Sequence, residues 1–235
     1  MSGSLRFGSG EARSPGPSSL TDADLVDRDS RKARTAMRSS RVILLNGPSS
    51  SGKTTLGRAL QSALGSPFFY WSSDQLVDAE VLPSVDREAK TGEWSWRTIR
   101  PRFFDGFHLC AAAIADAGND MIIEHVIEFR GWYVDLVTLL RHHSVFFVGV
   151  HCEIGELERR ERLRGDRRVG EGRSHLGDGV HTWGRYDIEV DTSRFSECEA
   201  RDRVVEGFRR HDPERSAFRT AWLDLERAGS ASSCI

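Results

Sequence analysis

The octapeptide Gly47-Pro48-Ser49-Ser50-Ser51-Gly52-Lys53-Thr54 restricts the fold of this chain more than any other stretch. It satisfies the pattern G-x-x-x-x-G-K-[ST] at every fixed position. Before it runs Arg41-Val42-Ile43-Leu44-Leu45-Asn46, an apolar run of strand length. After it, Leu56, Ala59, Leu60, Ala63 and Leu64 share one helical stripe, and Gly65 ends that helix. Strand, glycine-bounded loop and helix together form a phosphate-binding unit. Gly47 and Gly52 are expected to allow backbone angles that turn successive N–H groups inward around a phosphate. The helix N-terminus behind them adds partial positive charge. Lys53 is placed to reach the β- and γ-phosphates of ATP, and the Thr54 hydroxyl to ligate Mg²⁺. Pro48, Ser49, Ser50, Ser51 and Thr55 complete the ATP-binding loop. Lys occurs only at 32, 53 and 90 while Arg is plentiful, so a Lys at this position is not compositional background.

Further strands follow at regular spacing. Phe68-Phe69-Tyr70-Trp71 is the second, Met121 to Val126 the third, Val145 to Cys152 the fourth and Ile188 to Ser193 the fifth. The near-continuous apolar fourth strand suits burial on both faces. Helical stretches separate the strands, which predicts an α/β fold: a five-stranded parallel sheet between two helical layers. Residues 41–212 form the domain. Residues 1–40 are rich in Ser, Gly and Arg and read as a disordered extension. Residues 213–235 read as peripheral, with one helix around Ala217 to Leu225 and a disordered Ser-rich end.

The near-zero net charge, formally −2, gives no sign of a nucleic-acid or anionic-membrane partner. The expected partner is a small molecule with a hydroxyl, and oligomeric state is left open. No apolar run approaches a membrane span and no signal segment is visible, so a cytoplasmic protein is expected. Cys110, Cys152, Cys198 and Cys234 are scattered and read as reduced thiols.

Ligands of open parallel sheets sit beyond the carboxyl ends of the strands. Asp74, after the second strand, is therefore a candidate catalytic base, or with Ser73 merely a helix cap. Glu124 closes the third strand, where a phosphate-loop enzyme places an acid to orient Mg²⁺. His125 beside it reads as a packed residue. Arg164-Gly165-Asp166-Arg167-Arg168-Val169-Gly170 is basic and glycine-punctuated, as a mobile lid would be. Its guanidiniums can neutralise charge on a transferring phosphoryl group. Between 79 and 107, Pro83 and Pro101 interrupt the periodicity. A helix is expected from about Arg102 to Ala117, turning Phe103, Phe107, Cys110, Ala111 and Ile114 inward. Trp94 and Trp96 are candidates for lining an apolar cavity.

Five stretches in this order resemble the chloramphenicol phosphotransferase family. They are Leu45 to Thr54, Ser73 to Asp78, Phe147 to Cys152 with Arg164 to Arg167, and Tyr186 to Ser193. The resemblance covers roughly 41 to 210. It implies the nucleoside-monophosphate-kinase branch of the phosphate-loop fold and transfer of the ATP γ-phosphoryl group to an antibiotic hydroxyl. It also implies Asp74 as catalytic base, with Arg164 and Arg167 as lid arginines. The chain departs from the pattern at Glu124-His125, where the family member compared carries two acids, and between Ala79 and Phe107. Three other functions keep the same loop. They are a kinase of a cellular metabolite or nucleotide sugar, including toxin-like kinases, a nucleic-acid end kinase, and a nucleotide-binding switch without transfer.

Overall fold

The computed structural model describes residues 39–82, 85, 89, 91–165 and 168–232 of the 235-residue chain. Five strands lie in one parallel sheet in the order β2-β3-β1-β4-β5. They are β1 (Arg41–Asn46), β2 (Phe69–Ser72), β3 (Met121–His125), β4 (Ser144–His151) and β5 (Ile188–Asp191). Each crossover carries helix: α1 (Lys53–Ala63), α2 (Ser73–Asp78), α3 (Trp96–Asp116), α4 (Arg130–Leu139), α5 (Ile154–Arg164) and α6 (Glu171–Gly177). Helices α7 (Glu197–Arg209) and α8 (Ala217–Ser232) complete the fold. The five expected strands and the three-layer arrangement are all present.

The central position of β1 explains its composition. It pairs with β3 on one side and β4 on the other, and Val42 to Leu45 are fully buried. Side chains alternate between faces along a strand. Val42 and Leu44 therefore enter one core with Met121, Ile123, Val145 and Phe147. Ile43 and Leu45 enter the other with Ile122, Phe146 and Val148. Helices α3 and α4 cover the first core, and α1 and α7 the second. Each such side chain contributes about 1.5–3 kcal/mol through burial.

Helix α3 corrects the expected boundary and phase. It begins at Trp96, not near Arg102, because the Ser95 side chain caps it by accepting from the Thr98 N–H at 3.3 Å. Pro101 lies inside the helix, where its missing N–H forfeits the bond to the Arg97 carbonyl. Its buried face is Phe104, Phe107, His108, Ala111, Ala112 and Ala115, while Cys110 is exposed. The expected stripe was displaced because His108, polar in sequence, is a buried member of the inner face.

Phe218 of α8, in the segment expected to be peripheral, is buried against Phe147 and Tyr133. That helix continues to Ser232, beyond the expected Leu225, through part of the Ser-rich end expected to be disordered. The first 38 residues, Pro83 and Arg167 lie outside the described residues. Among those described, no helix is long and apolar enough to cross a membrane.

Candidate active site

A cleft of 1170 Å³ opens beyond the carboxyl ends of β1, β2 and β3. The phosphate loop forms its floor. Within the loop, Ser50 (φ 62°) and Gly52 (φ 89°) occupy the left-handed region. Gly47 does not, and is required for a different reason than expected. A Cβ on it would lie 2.3 Å from the Val150 carbonyl oxygen of β4. The hydroxyls of Ser50 and Ser51 are buried and have no hydrogen-bond partner among the described residues. Buried hydroxyls are normally satisfied, so these two suit a ligand rich in acceptor oxygens.

Lys53 is almost fully buried and donates to the Pro48 carbonyl at 2.8 Å. Its ammonium lies 4.0 Å from Glu124 Oε1. The Thr54 hydroxyl donates to the same oxygen at 3.0 Å, and the Tyr70 hydroxyl donates to Glu124 Oε2. Burial, then the Glu124 charge, pushes the Tyr70 phenol well above its ordinary pKa, so it remains a donor. The two expected Mg²⁺ groups thus stand together. The Thr54 proton is directed at the carboxylate, leaving its lone pairs for a cation. Two hard oxygen donors beside a phosphate loop fit Mg²⁺, which takes few protein ligands and completes its shell with water and phosphate. Among the described residues no cluster of three or more His, Cys, Asp or Glu could hold a metal by itself.

Asp74 occupies the first turn of α2 and lines the cleft. Neither it nor Ser73 caps the helix; Ser72 is at the cap position and makes no side-chain cap bond. Trp96, Phe103 and Phe104 line the adjoining wall. Trp94 does not: it is 62 % exposed and outside the cleft. His125 is buried, and its Nδ1 accepts from the Val126 N–H at 2.8 Å. Neutral His125 therefore carries its proton on Nε2, which lies 2.7 Å from His108 Nε2. It stacks on Phe104 with ring centroids 5.3 Å apart, as expected of a packed histidine. Burial and the charges of His108, Lys53 and Arg100 hold its pKa far below the usual histidine range.

Arg164, at the end of α5, is exposed on the cleft edge, and Arg168 also lines the cleft. Sequence reasoning passed over Arg160, one helical turn earlier on the same face. Its guanidinium donates to the Ser50 carbonyl at 3.3 Å and to the Thr192 hydroxyl and carbonyl at 3.0 and 2.9 Å. The Thr192 hydroxyl in turn donates to the Ser51 carbonyl at 2.6 Å. The turn after β5 and helix α5 are thereby stapled to the phosphate loop. The i−4 spacing from Arg164 was the available signal. Arg100, Glu128 and His175 were also missed. Arg100 Nη2 and Glu128 Oε2 are 2.5 Å apart, and all three residues line the cleft.

A strand-exit acid facing a phosphate loop across one cleft is the arrangement of a phosphate-loop kinase. The model of the family described as "Chloramphenicol phosphotransferase-like protein" matches residues 40–209. The chain belongs to that family. The match spans β1 through α7, so the chain is a phosphate-loop phosphotransferase of the small-molecule kinase type. A Mycobacterium tuberculosis relative named "Putative O-phosphotransferase Rv2636" is 32 % identical over 178 residues, covering 68 % of this chain and 79 % of the relative. Two solved structures are similar in fold alone. The Mycobacterium tuberculosis APS kinase CysC, in complex with AMPPNP and APS, has a TM-score of 0.52 at 15 % identity, covering 73 % of this chain and 98 % of its own. A gluconokinase from Sinorhizobium meliloti 1021 has a TM-score of 0.51 at 17 % identity, covering 74 % and 94 %.

Proposed function

We propose that this protein transfers the γ-phosphoryl group of ATP to a hydroxyl of a small molecule, with a chloramphenicol-like antibiotic as the leading acceptor. The observation that carries this reading is the position of Asp74, in the same cleft as the phosphate loop and beside the Trp96, Phe103 and Phe104 wall. The acceptor lies against that wall with one hydroxyl toward Asp74. The Asp74 carboxylate orients the hydroxyl and takes its proton as the oxygen attacks the γ-phosphorus and the bond to the β–γ bridging oxygen breaks, releasing ADP. Lys53 leaves the Pro48 carbonyl for the β- and γ-phosphates. Arg164 neutralises charge that spreads over the phosphoryl oxygens, and Arg167 is assigned the same role from its sequence position. Thr54 and Glu124 would hold Mg²⁺, which supplies charge neutralisation on the phosphates when bound. The apolar wall excludes water, which strengthens each of these contacts.

The experiment is ATP consumption by the purified protein with Mg²⁺, against chloramphenicol, other hydroxyl-bearing antibiotics, sugars and nucleosides. Products are read by mass spectrometry. A phosphorylated antibiotic that disappears in Asp74→Asn supports the reading. Phosphorylation of a metabolite alone replaces the acceptor and keeps the residue roles. ATP binding with no product on any acceptor leaves a nucleotide-binding switch.

A further inference from the structure

Helix α6 approaches the phosphate loop at Ser49. A Cβ on Gly172 would lie 2.7 Å from the Ser49 carbonyl oxygen, so only glycine permits this approach. Three residues later, His175 Nδ1 accepts from the Ser49 N–H at 3.1 Å. The start of α6 is fixed by Glu161, a fully buried carboxylate. It accepts from the N–H groups of Gly170 and Gly172 at 2.7 and 2.8 Å. The imidazole is thus delivered to the loop by a rigid anchor.

Its hydrogen bonds define its chemistry. Because Nδ1 accepts, the neutral ring carries its proton on Nε2. Nε2 faces Glu128 Oε1 at 3.4 Å, and Glu128 Oε2 is paired with Arg100. Ser49, His175, Glu128 and Arg100 form one polar chain across the cleft, from the phosphate loop to α3. The Ser49 end of this chain lies on the phosphate loop. Lys53, whose ammonium serves the β- and γ-phosphates, lies on the Pro48 carbonyl, the Ser49 N–H leaves the opposite edge of that trans peptide, and Lys53, Ser49 and His175 all line the one cleft. Loop N–H groups of this kind are phosphate ligands. His175 Nδ1 therefore occupies a loop N–H of the kind that a bound phosphate claims, within the cleft that holds Lys53.

We propose that His175 is a contact of the γ-phosphoryl group and that Glu128 is its positioning residue, a role that rests on the ATP-dependent reading above. As a γ-phosphoryl oxygen takes over the Ser49 N–H, the imidazole takes a proton from solvent at Nδ1. It donates that proton as a hydrogen bond to the same oxygen, while Nε2–H stays on Glu128. The charged groups facing the ring are Glu128 from the segment after β3, Glu171 from its own helix, Lys53 from α1 and Arg100 from α3. Burial holds the ring neutral against the two carboxylates. A γ-phosphoryl group adds the negative charge that reverses this balance. ADP lacks that group and gains nothing from His175.

The test is equilibrium binding of ADP and of a non-hydrolysable ATP analogue, with Mg²⁺, to the full chain and to His175→Ala and Glu128→Gln. Expected is a loss of about tenfold for the ATP analogue in His175→Ala, the scale of one charge-assisted hydrogen bond, with ADP affinity unchanged. Glu128→Gln keeps the shape of the site and should show the same selective loss. Thermal unfolding without nucleotide shows that each variant is folded. Equal losses for both nucleotides would make His175 a scaffold for Ser49 and overturn the proposal. Tighter binding of the ATP analogue would make it a competitor of phosphate and overturn it equally. If the unmodified protein binds neither nucleotide, the ATP reading itself fails and the proposal falls with it.

Discussion

The Thr54 hydroxyl donates to Glu124 Oε1 at 3.0 Å, joining the first turn of α1 to the cleft end of β3. Parallel pairing of β1 with β3 places Leu45 beside Glu124, so the register of the sheet sets this contact. Removing the carboxylate leaves the Thr54 and Tyr70 hydroxyls without their shared acceptor. Glu124→Ala should slow phosphoryl transfer by about 3 kcal/mol, roughly a hundredfold, and raise the Mg²⁺ concentration needed for half-maximal rate. A Mg²⁺ titration of ATP turnover checks both. An unchanged titration curve would end the assignment of Glu124 as a Mg²⁺ group.

Asp74→Asn keeps the size of the side chain and removes its basicity. Nucleotide affinity should be unchanged while transfer to acceptor falls at least a hundredfold, on the scale of lost general-base catalysis. Binding of nucleotide measured alongside single-turnover transfer separates the two. Equal turnover would end the assignment of Asp74 as base.

Arg160 spans the Ser50 carbonyl and the Thr192 carbonyl with separate guanidinium nitrogens. Arg160→Ala should weaken ADP and ATP binding alike, by about tenfold, because it loosens the loop without touching the γ position. Arg160→Lys should not restore affinity, since one ammonium cannot reproduce the planar fork. Calorimetric titration of both nucleotides decides. Full rescue by Lys would show that charge alone matters there.

Gly57 lies within α1, where alanine would ordinarily stabilise a helix by about 1 kcal/mol. Here a Cβ would lie 2.4 Å from Tyr70 Cε2. Overpacking of a buried ring costs about 1–3 kcal/mol, so the clash should win and Gly57→Ala should lower the melting temperature. It should also disturb the Tyr70 to Glu124 bond and slow transfer. A higher melting temperature would show that the ring is not held there.

His108 and His181 are each pushed down to about 4, from an ordinary value of 6.5, chiefly by burial. Both are neutral in the folded protein and bind protons more readily when unfolded. Lowering the pH through 6.5 toward 4 therefore favours the unfolded chain, and stability should fall over that window. Denaturant midpoints across the range test this. His108→Gln should flatten the dependence, and an unaltered slope would dismiss His108 as a contributor.

Much of the site was legible in the chain because it is local. The octapeptide specifies a strand, a loop and a helix start within consecutive residues. Lys53 and Thr54 are therefore placed at the loop by local position alone. Asp74 and Glu124 were legible for a related reason: both follow strand signals, and strand ends in a parallel sheet converge on one edge. Arg100, Glu128, His175 and Arg160 were not legible in this way. Each is a single polar residue in a stretch whose pattern reports only helix or loop.

The sequence by itself determined the five strands and the phosphate loop, and put Asp74 just after β2 and Glu124 near the end of β3, since periodicity and turn chemistry are short-range. Only the tertiary structure decided which residues meet across the cleft. The pairing of β1 with β3 brings Thr54 to Glu124. The buried Glu161 and the absence of a side chain at Gly172 bring His175 to Ser49, 126 positions away in the chain. Burial then sets the charge each group carries, because desolvation depends on neighbours that no local pattern contains.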